Sequence, residues 1–499
     1  MASLGPLRLI TQERPRPAQI RDARRGWWLA VGTVCFGAFM GQLDASIATL
    51  AYPALRAGFH AGLAEVEWVS LAYLIVLVAL LVPVGRLSDA HGRKLMYLYG
   101  FVVFTVSSAA CGLAPSLAVL IAFRALQAVG AALLQANSVA LVTTSAPPGR
   151  MRAALGVQAG AQALGLALGP TAGGIIVTAL GWRWVFLVNV PVGAVALIAG
   201  HYLLPRTRTC VPADDFDWPG LALLATAASA LLLGISAASG LSLPGAVVAV
   251  FFVTAAAAAY GLARRLLRAR DPLIDPDLLR TGRIAAGLAG ALGGYLVLFG
   301  PLVLVPVVLT GRGVSLAAAG LVLTALPAGF AAAALFGERV LPAGWSDRRR
   351  AFCGSAVALA GLVAISLAPM TEAWLAPLLA VLGLGLGAFT PANNALVMAA
   401  IPASRAGTGG GLVNMTRGLG TALGVALVTL CLSAVGSGAD GEAAGARAAA
   451  LVLAAAAAAV VVSNLSRGAR PVAADAADAD DATREPEDRV PGARDRRAA

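Results

Sequence analysis

Two charged residues stand where charge is expensive. Asp44 lies in "GQLDASIATLAYP", residues 41–53, and no other charged residue occurs between Arg25 and Arg56. Arg124 lies in "IAFRALQAVGAALLQANS", residues 121–138, another run otherwise free of charge. A charged side chain at the centre of a membrane helix costs roughly 2.5–3.5 kcal/mol even on lenient scales, so such residues mark pathways and relays by default. Burial disfavours a charged carboxylate, and a nearby arginine restores it. A pair of this kind can take up a proton from one side and release it to the other. Asp44 is about 17 residues, hence about 25 Å, from the inner end of its run, and Arg124 reaches a similar depth from the opposite direction. The two are therefore able to face each other. The bland alternatives are a structural acid bonded to Gln42, Ser46 or backbone, and an arginine that snorkels to the outer interface.

Other stretches carry polar groups with purpose. "GRLSDAHGRK", residues 85–94, is a charged, glycine-bearing hairpin. Asp89 in it can accept bonds from a helix N-terminus or pair with Arg93. "GLALGPTAGG", residues 165–174, sets Gly165, Gly169, Gly173 and Gly174 around Pro170; small residues of this kind let helices pack closely. Gln127, Gln135, Asn137, Tyr295, Phe389, Asn393, Asn394 and Arg417 are amide, aromatic or cationic groups in apolar runs. Such groups suit a cavity for amphipathic small molecules, although each alone also fits simple packing. Arg417, in "GGGLVNMTRGLG", either lines that cavity or binds phospholipid.

The elements that must position these residues follow from composition. The 499 residues are 59% hydrophobic and 12% charged, against about a quarter charged in soluble domains. Apolar runs of about 20 residues recur, each long enough to cross a hydrocarbon core. About fourteen are expected, among them 183–203 and 315–337 as single spans. The net charge of +12 does not indicate nucleic acid, because the arginines cluster in alternate loops. Arg86, Arg93 and Lys94 follow the second span, Arg150 and Arg152 the fourth, Arg206 and Arg208 the sixth, and Arg348 to Arg350 the tenth. This positive-inside pattern places both termini in the cytoplasm. Lys94 is the sole lysine and follows Arg93, which excludes a phosphate-binding Gly-Lys-Ser/Thr loop. Cys35, Cys111, Cys210, Cys353 and Cys431 show no spacing for disulfides or zinc. No metal cluster or nucleophile motif points to an enzyme, and no cofactor is expected.

The chain also repeats. "QANSVALV" at 135–142 resembles "PANNALVM" at 391–398, and "LGLALG" at 164–169 resembles "LGTALG" at 419–424. Parallel halves of this sort are a transporter architecture. The expected organisation is a cytoplasmic arm (1–26), an N-terminal six-helix bundle (27–204), two additional helices (205–270), a C-terminal six-helix bundle (271–466) and a disordered cytoplasmic tail (467–499).

The ordered Gly85, Asp89, Gly92, Arg93 and Lys94 resemble the signature loop of the major facilitator superfamily, which implies a conformational latch on the cytoplasmic side. Arg124, Gln127 and Gly130 are similar to a family element whose arginine is implicated in proton transfer; Ala128 departs from it. Residues 165–174 resemble the antiporter signature of exporters. With "WVSLAYL" (68–74), "GWRWVFLVNVPVG" (181–193) and "DWPG" (217–220), the chain resembles the fourteen-span drug:proton antiporter family over essentially all its spans. The resemblance implies an all-α integral membrane protein with the major facilitator fold: two six-helix bundles plus two extra helices. It implies efflux of small amphipathic drugs or antibiotics from a bacterium, driven by the proton gradient, with Asp44 and Arg124 coupling the proton. A monomer in contact with membrane lipid, small-molecule substrate and protons is expected. A proton-coupled importer of a small metabolite and a non-transporting sensor are the alternatives. With no mid-membrane carboxylate in the second half, a neutral, monocationic or zwitterionic substrate is expected.

Overall fold

The computed structural model describes residues 13, 16–17, 26–61, 63–147, 149–207, 217–239, 244–269, 272–342, 344–434 and 439–466. The expected tail at 467–499, most of the arm at 1–26, Arg208 and Cys210 lie outside the described residues. Among the described residues the chain is helical throughout, as a bilayer requires: with no water to bond the backbone, each apolar run closes its own hydrogen bonds.

The first half comprises α1 (Gly26–Leu50), α2 (Tyr52–Phe59), α3 (Leu63–His91), α4 (Arg93–Gly112), α5 (Leu117–Ser145), α6 (Met151–Leu180), α7 (Arg183–Leu187) and α8 (Asn189–Leu203). An intervening pair follows, α9 (Trp218–Ser239) and α10 (Gly245–Leu266). The second half comprises α11 (Pro276–Arg280), α12 (Gly282–Gly311), α13 (Leu316–Leu323), α14 (Ala325–Val340), α15 (Asp347–Leu367), α16 (Glu372–Ala399), α17 (Ala406–Ala434) and α18 (Ala439–Ser466). Thirteen helical segments among the described residues are long and apolar enough to cross a membrane. The expected fifth span is a further helix, α6, of 30 residues, which at 1.5 Å per residue is also long enough.

Two expected spans are broken. The run at 183–203 divides into α7 and α8 at Val188, and the run at 315–337 divides into α13 and α14 at Thr324. Each break lies just upstream of a proline, Pro191 and Pro327. A proline removes the hydrogen bond to the residue four before it, here Leu187 and Leu323, and crowds that carbonyl. The short helices α2 and α11 have no counterpart among the expected spans.

The bundles meet at the end that carries residues 85–94, here called the latch end. A Cβ on Gly85 would collide with the Gly407 carbonyl, one on Gly411 with Leu81, and one on Gly156 with Ala334. These glycines let backbone touch backbone between α3 and α17 and between α6 and α14. The intervening pair is not detached from this assembly. Ala228 and Leu232 of α9 pack with Val78 of α3, against Leu419 and Ala422 of α17. Thus α9 covers the seam between the halves, while α10 exposes Val250, Val253 and Tyr260, apolar surface fit for lipid.

Candidate functional site

Asp44 sits inside α1 and is 2% exposed; Arg124, inside α5, is 1% exposed. Arg124 Nη1 donates to Asp44 Oδ2 at 2.6 Å. Gln127 Nε2 and Asn189 Nδ2 donate to Asp44 Oδ1 at 3.0 and 2.9 Å. Arg124 Nε donates to the Val69 carbonyl at 3.1 Å, and its Nη1 also donates to Gln127 Oε1 at 2.6 Å. Gln127 Nε2 further donates to Ser108 Oγ at 2.7 Å. Residues of α5 and α8 bond the carboxylate of α1 directly, and α3 and α4 join the same network through Val69 and Ser108. The pair is fully desolvated and multiply bonded, the condition under which a buried ion pair is tolerated.

Positioning is local. Ser116 caps α5 by accepting from Val119 N at 3.4 Å, which starts the helix two turns before Arg124. Gly165 and Gly169 of α6 bring that helix against α1: a Cβ on Gly165 would lie 2.6 Å from the Phe39 carbonyl, and one on Gly169 would strike Ser46 Oγ. Gly173, Gly174 and Pro170 continue the same helix. Close packing here fixes the stretch of α1 on which Asp44 rides.

Beside this site a cavity of about 270 Å³ lies between the halves. It is lined by α1, α3, α5, α6, α9, α12 and α17, with Gln42, Tyr73, Gln135, Gln162, Tyr295, Phe299, Asn414 and Arg417 among its walls. Asp44 and Arg124 are not among the lining residues. Tyr73 stands between: it lines the cavity, and its ring lies 4.2 Å from the Arg124 guanidinium carbon, a cation–π contact. Its buried hydroxyl has no hydrogen-bond partner. Tyr295 donates to Gln162 Oε1 at 3.5 Å across the halves, and Asn414 Nδ2 donates to the Gln135 carbonyl at 2.8 Å.

At the latch end, Asp89 is buried. It accepts from the Gly407 and Thr408 amides and the Thr408 hydroxyl, each at 2.8 Å, so a carboxylate of one half caps the positive end of α17 in the other. Arg93 Nη2 donates to Asp89 at 2.8 Å and to the Ser404 carbonyl at 3.0 Å. Arg86 donates to the Pro272 carbonyl. Lys94 Nζ donates to the His201 and Leu204 carbonyls, both at 2.8 Å, closing the end of α8 within its own half. Gly92 adopts φ +103°, the left-handed region open to glycine, and Glu13 of the arm fills the space a side chain would need. Beside the latch, Arg152 pairs with Glu338 and Asp347 across the halves. Asp275 pairs with Arg405. Burial pushes Asp275 up, but the Asp277 amide and Arg405 outweigh it and hold the carboxyl below the usual range.

The sequence candidates separate accordingly. Gln135, Tyr295 and Arg417 line the cavity. Gln127 does not; it bonds Asp44. Asn137 does not either; it donates to Ser88 Oγ at 2.8 Å on the latch helix α3. Phe389, Asn393 and Asn394 are buried in α16 away from the cavity: Phe389 packs with Ala351, Ala392 and Val460, and Asn393 donates to the Gly287 carbonyl at 3.0 Å. They were expected at the cavity as amide or aromatic groups in an apolar run, but α16 packs against α12, α14 and α15 and carries them there. Five of the named wall residues were not among the candidates: Gln42, Tyr73, Gln162, Phe299 and Asn414. Asn189, a bonding partner of Asp44, was likewise missed, though a lone amide in the apolar run after Trp184 was a usable signal.

The sequence profile described as "Major Facilitator Superfamily" matches residues 34–425. "Riboflavin transporter RibZ" of Clostridioides difficile (strain 630) is 30% identical over 409 residues, covering 80% of this chain and 87% of that protein. "Tetracenomycin C resistance and export protein" of Streptomyces glaucescens is 35% identical over 260 residues, covering 52% of this chain and 48% of that protein. Among solved structures, the "human organic anion transporter MFSD10 (TETRAN)" aligns with a TM-score of 0.63 at 17% identity, covering 88% of this chain and 99% of that one; the likeness is one of fold.

Proposed function

The chain belongs to the major facilitator superfamily, and from that premise we propose that it is a proton-coupled exporter of small amphipathic drugs or antibiotics. The observation that carries the reading is the buried Asp44–Arg124 pair, set one aromatic ring away from the central cavity. A proton arriving at Asp44 neutralises the carboxylate. Arg124 then keeps its bonds to Val69 and Gln127 but loses its counter-charge, and Tyr73, stacked on it, transmits the change to the cavity wall. Substrate entering from the other side displaces the proton by the reverse path.

The latch contacts close one end of the molecule, and alternating access needs that end to open in turn. The arginine loops support a cytoplasmic latch end and both termini inside, and the bacterial relatives support a bacterial cytoplasmic membrane as the site of action. The likeness of residues 165–174 to the antiporter signature, and the relative named for resistance and export, support the outward direction. No cofactor is needed beyond the proton gradient, and the proposed unit is a monomer surrounded by lipid.

The relative named as a riboflavin transporter keeps import of a small metabolite in view. Everted vesicles discriminate. With an acidic interior they should accumulate dye or drug in an Asp44-dependent way. Uptake into whole cells driven by an inward proton gradient would overturn the export reading.

A further inference from the structure

Arg417 is the only charged residue among the described residues that line the central cavity. It is 4% exposed, so most of its hydration is gone. Its Nη1 donates to Asn414 Oδ1 at 3.1 Å, and its guanidinium carbon lies 5.1 Å from the Tyr295 ring centre. Its Nε is buried without any partner, and no described carboxylate pairs with it. The other described buried cations are satisfied differently: Arg124 and Arg93 by carboxylates, Lys94 by two carbonyls and Arg350 by the Trp345, Gly337 and Pro342 carbonyls.

A buried unpaired cation is costly, and it is retained where something else supplies the charge. The guanidinium offers a planar fork that matches a carboxylate or a comparable oxyanion side-on. Gln135 and Gln162 add amides on the facing walls, and Tyr295 and Phe299, stacked at 6.0 Å between ring centres, add a flat apolar surface. We propose that the central cavity selects small aromatic organic anions and that Arg417 holds their anionic group. This rests on the cavity being the transport site. It replaces the neutral, monocationic or zwitterionic cargo expected from the lack of mid-membrane acids: the same lack leaves a positive cavity.

Asn414 positions the fork. Its amide nitrogen bonds the Gln135 and Gly410 carbonyls while its oxygen receives Arg417. A carboxylate at that position would neutralise Arg417 internally with almost no change of shape.

The test uses the purified full-length protein in detergent, without any gradient. Binding of fluorescein, an anionic xanthene, and of rhodamine 6G, its cationic counterpart, is read by fluorescence anisotropy. Fluorescein should bind in preference. Arg417→Gln and Asn414→Asp should each weaken it about tenfold or more, while Arg417→Lys, which keeps the charge but loses the fork, should fall between the native protein and Arg417→Gln. Unchanged unfolding temperatures in Arg417→Gln and Arg417→Lys separate lost recognition from lost fold; Asn414→Asp, which gives up the two bonds its amide nitrogen makes to the Gln135 and Gly410 carbonyls, is read only beside them. Preference for rhodamine, binding of neither dye, or fluorescein binding indifferent to Arg417→Gln overturns the proposal. So does Arg417-dependent binding of phosphatidylglycerol with no dye bound, which would make the occupant a lipid. Fluorescein bound through Arg417 but not exported would sustain this inference and count against export; gradient-driven export indifferent to Arg417 would do the reverse.

Discussion

A buried ion pair costs the protein most when half of it is removed. Arg124→Leu leaves Asp44 charged or protonated against Gln127 and Asn189 alone, and such losses run to about 3–5 kcal/mol. The double variant Asp44→Leu, Arg124→Leu removes both charges. It should unfold at a higher temperature than Arg124→Leu alone, measured on purified protein in detergent. Equal or additive losses would mean that the two residues do not act as a unit. Tyr73 permits a finer cut. Tyr73→Phe removes a buried hydroxyl that has no partner, so it should leave stability unchanged or slightly raised and coupling intact. Tyr73→Ala removes the ring between the cavity and Arg124. It should let protons leak in vesicles without substrate, read with a pH-sensitive dye; a tight Tyr73→Ala vesicle would remove the ring from the mechanism. The charges of this site were legible because a lone Asp and a lone Arg in apolar runs have few other reasons to exist. Tyr73, Gln42, Gln162 and Asn414 were not, because an uncharged polar residue in a helix is as common on a packed face as on a cavity wall. Only the rotation of each helix tells which.

At the scale of elements, close helix packing decides. Gly165 meets the Phe39 backbone, and backbone cannot step aside as a side chain can. Gly165→Ala should destabilise by about 1–3 kcal/mol and reduce transport, whereas Gly320→Ala, where a Cβ meets nothing within 4 Å, should do neither. The intervening pair has its own tie. Asp217 accepts from the Gly220 and Leu273 amides at 2.9 and 3.1 Å and from Arg265 at 2.5 Å, linking α9, α10 and the segment leading to α11. Burial pushes Asp217 up, but Arg265 and the amides outweigh it and hold its carboxyl below the ordinary value. A lowered value means stability that is fully present above the unfolded pKa, about 3.9, and is lost as pH falls through the folded one. Asp217→Asn should therefore lower the unfolding temperature at pH 7, and its deficit should shrink as pH falls below about 4. The long helices were legible from run length and arginine loops, whereas the short α2 and α11 were not. The breaks at Val188 and Thr324 were less so, because Pro301 and Pro306 sit within unbroken α12; proline biases a helix without dictating where it parts. The place of α9 over the seam could not be read at all, since apolar runs facing lipid and facing protein look alike.

For the whole molecule, two conformations must differ at the latch. Asp89 caps α17 across the halves, and Gly85 lets α3 and α17 touch. Asp89→Asn replaces an anion at a helix N-terminus with a neutral amide and should favour opening of the latch end. Spin labels placed across that end should report longer distances than in the native protein; unchanged distances would make the latch a passive loop. The two-bundle plan was legible from the internal repeat, and Asn393 is buried off the cavity as its counterpart Asn137 is; what the repeat could not supply was which of its polar positions face the cavity. The central claim is that a proton at Asp44 drives cargo outward, and everted membrane vesicles test it most directly. Set acidic inside, native vesicles should accumulate fluorescein with a matching rise in internal pH, and Asp44→Asn vesicles should do neither. Accumulation that persists in Asp44→Asn vesicles, or fluorescein flux that leaves internal pH unmoved, would contradict the account.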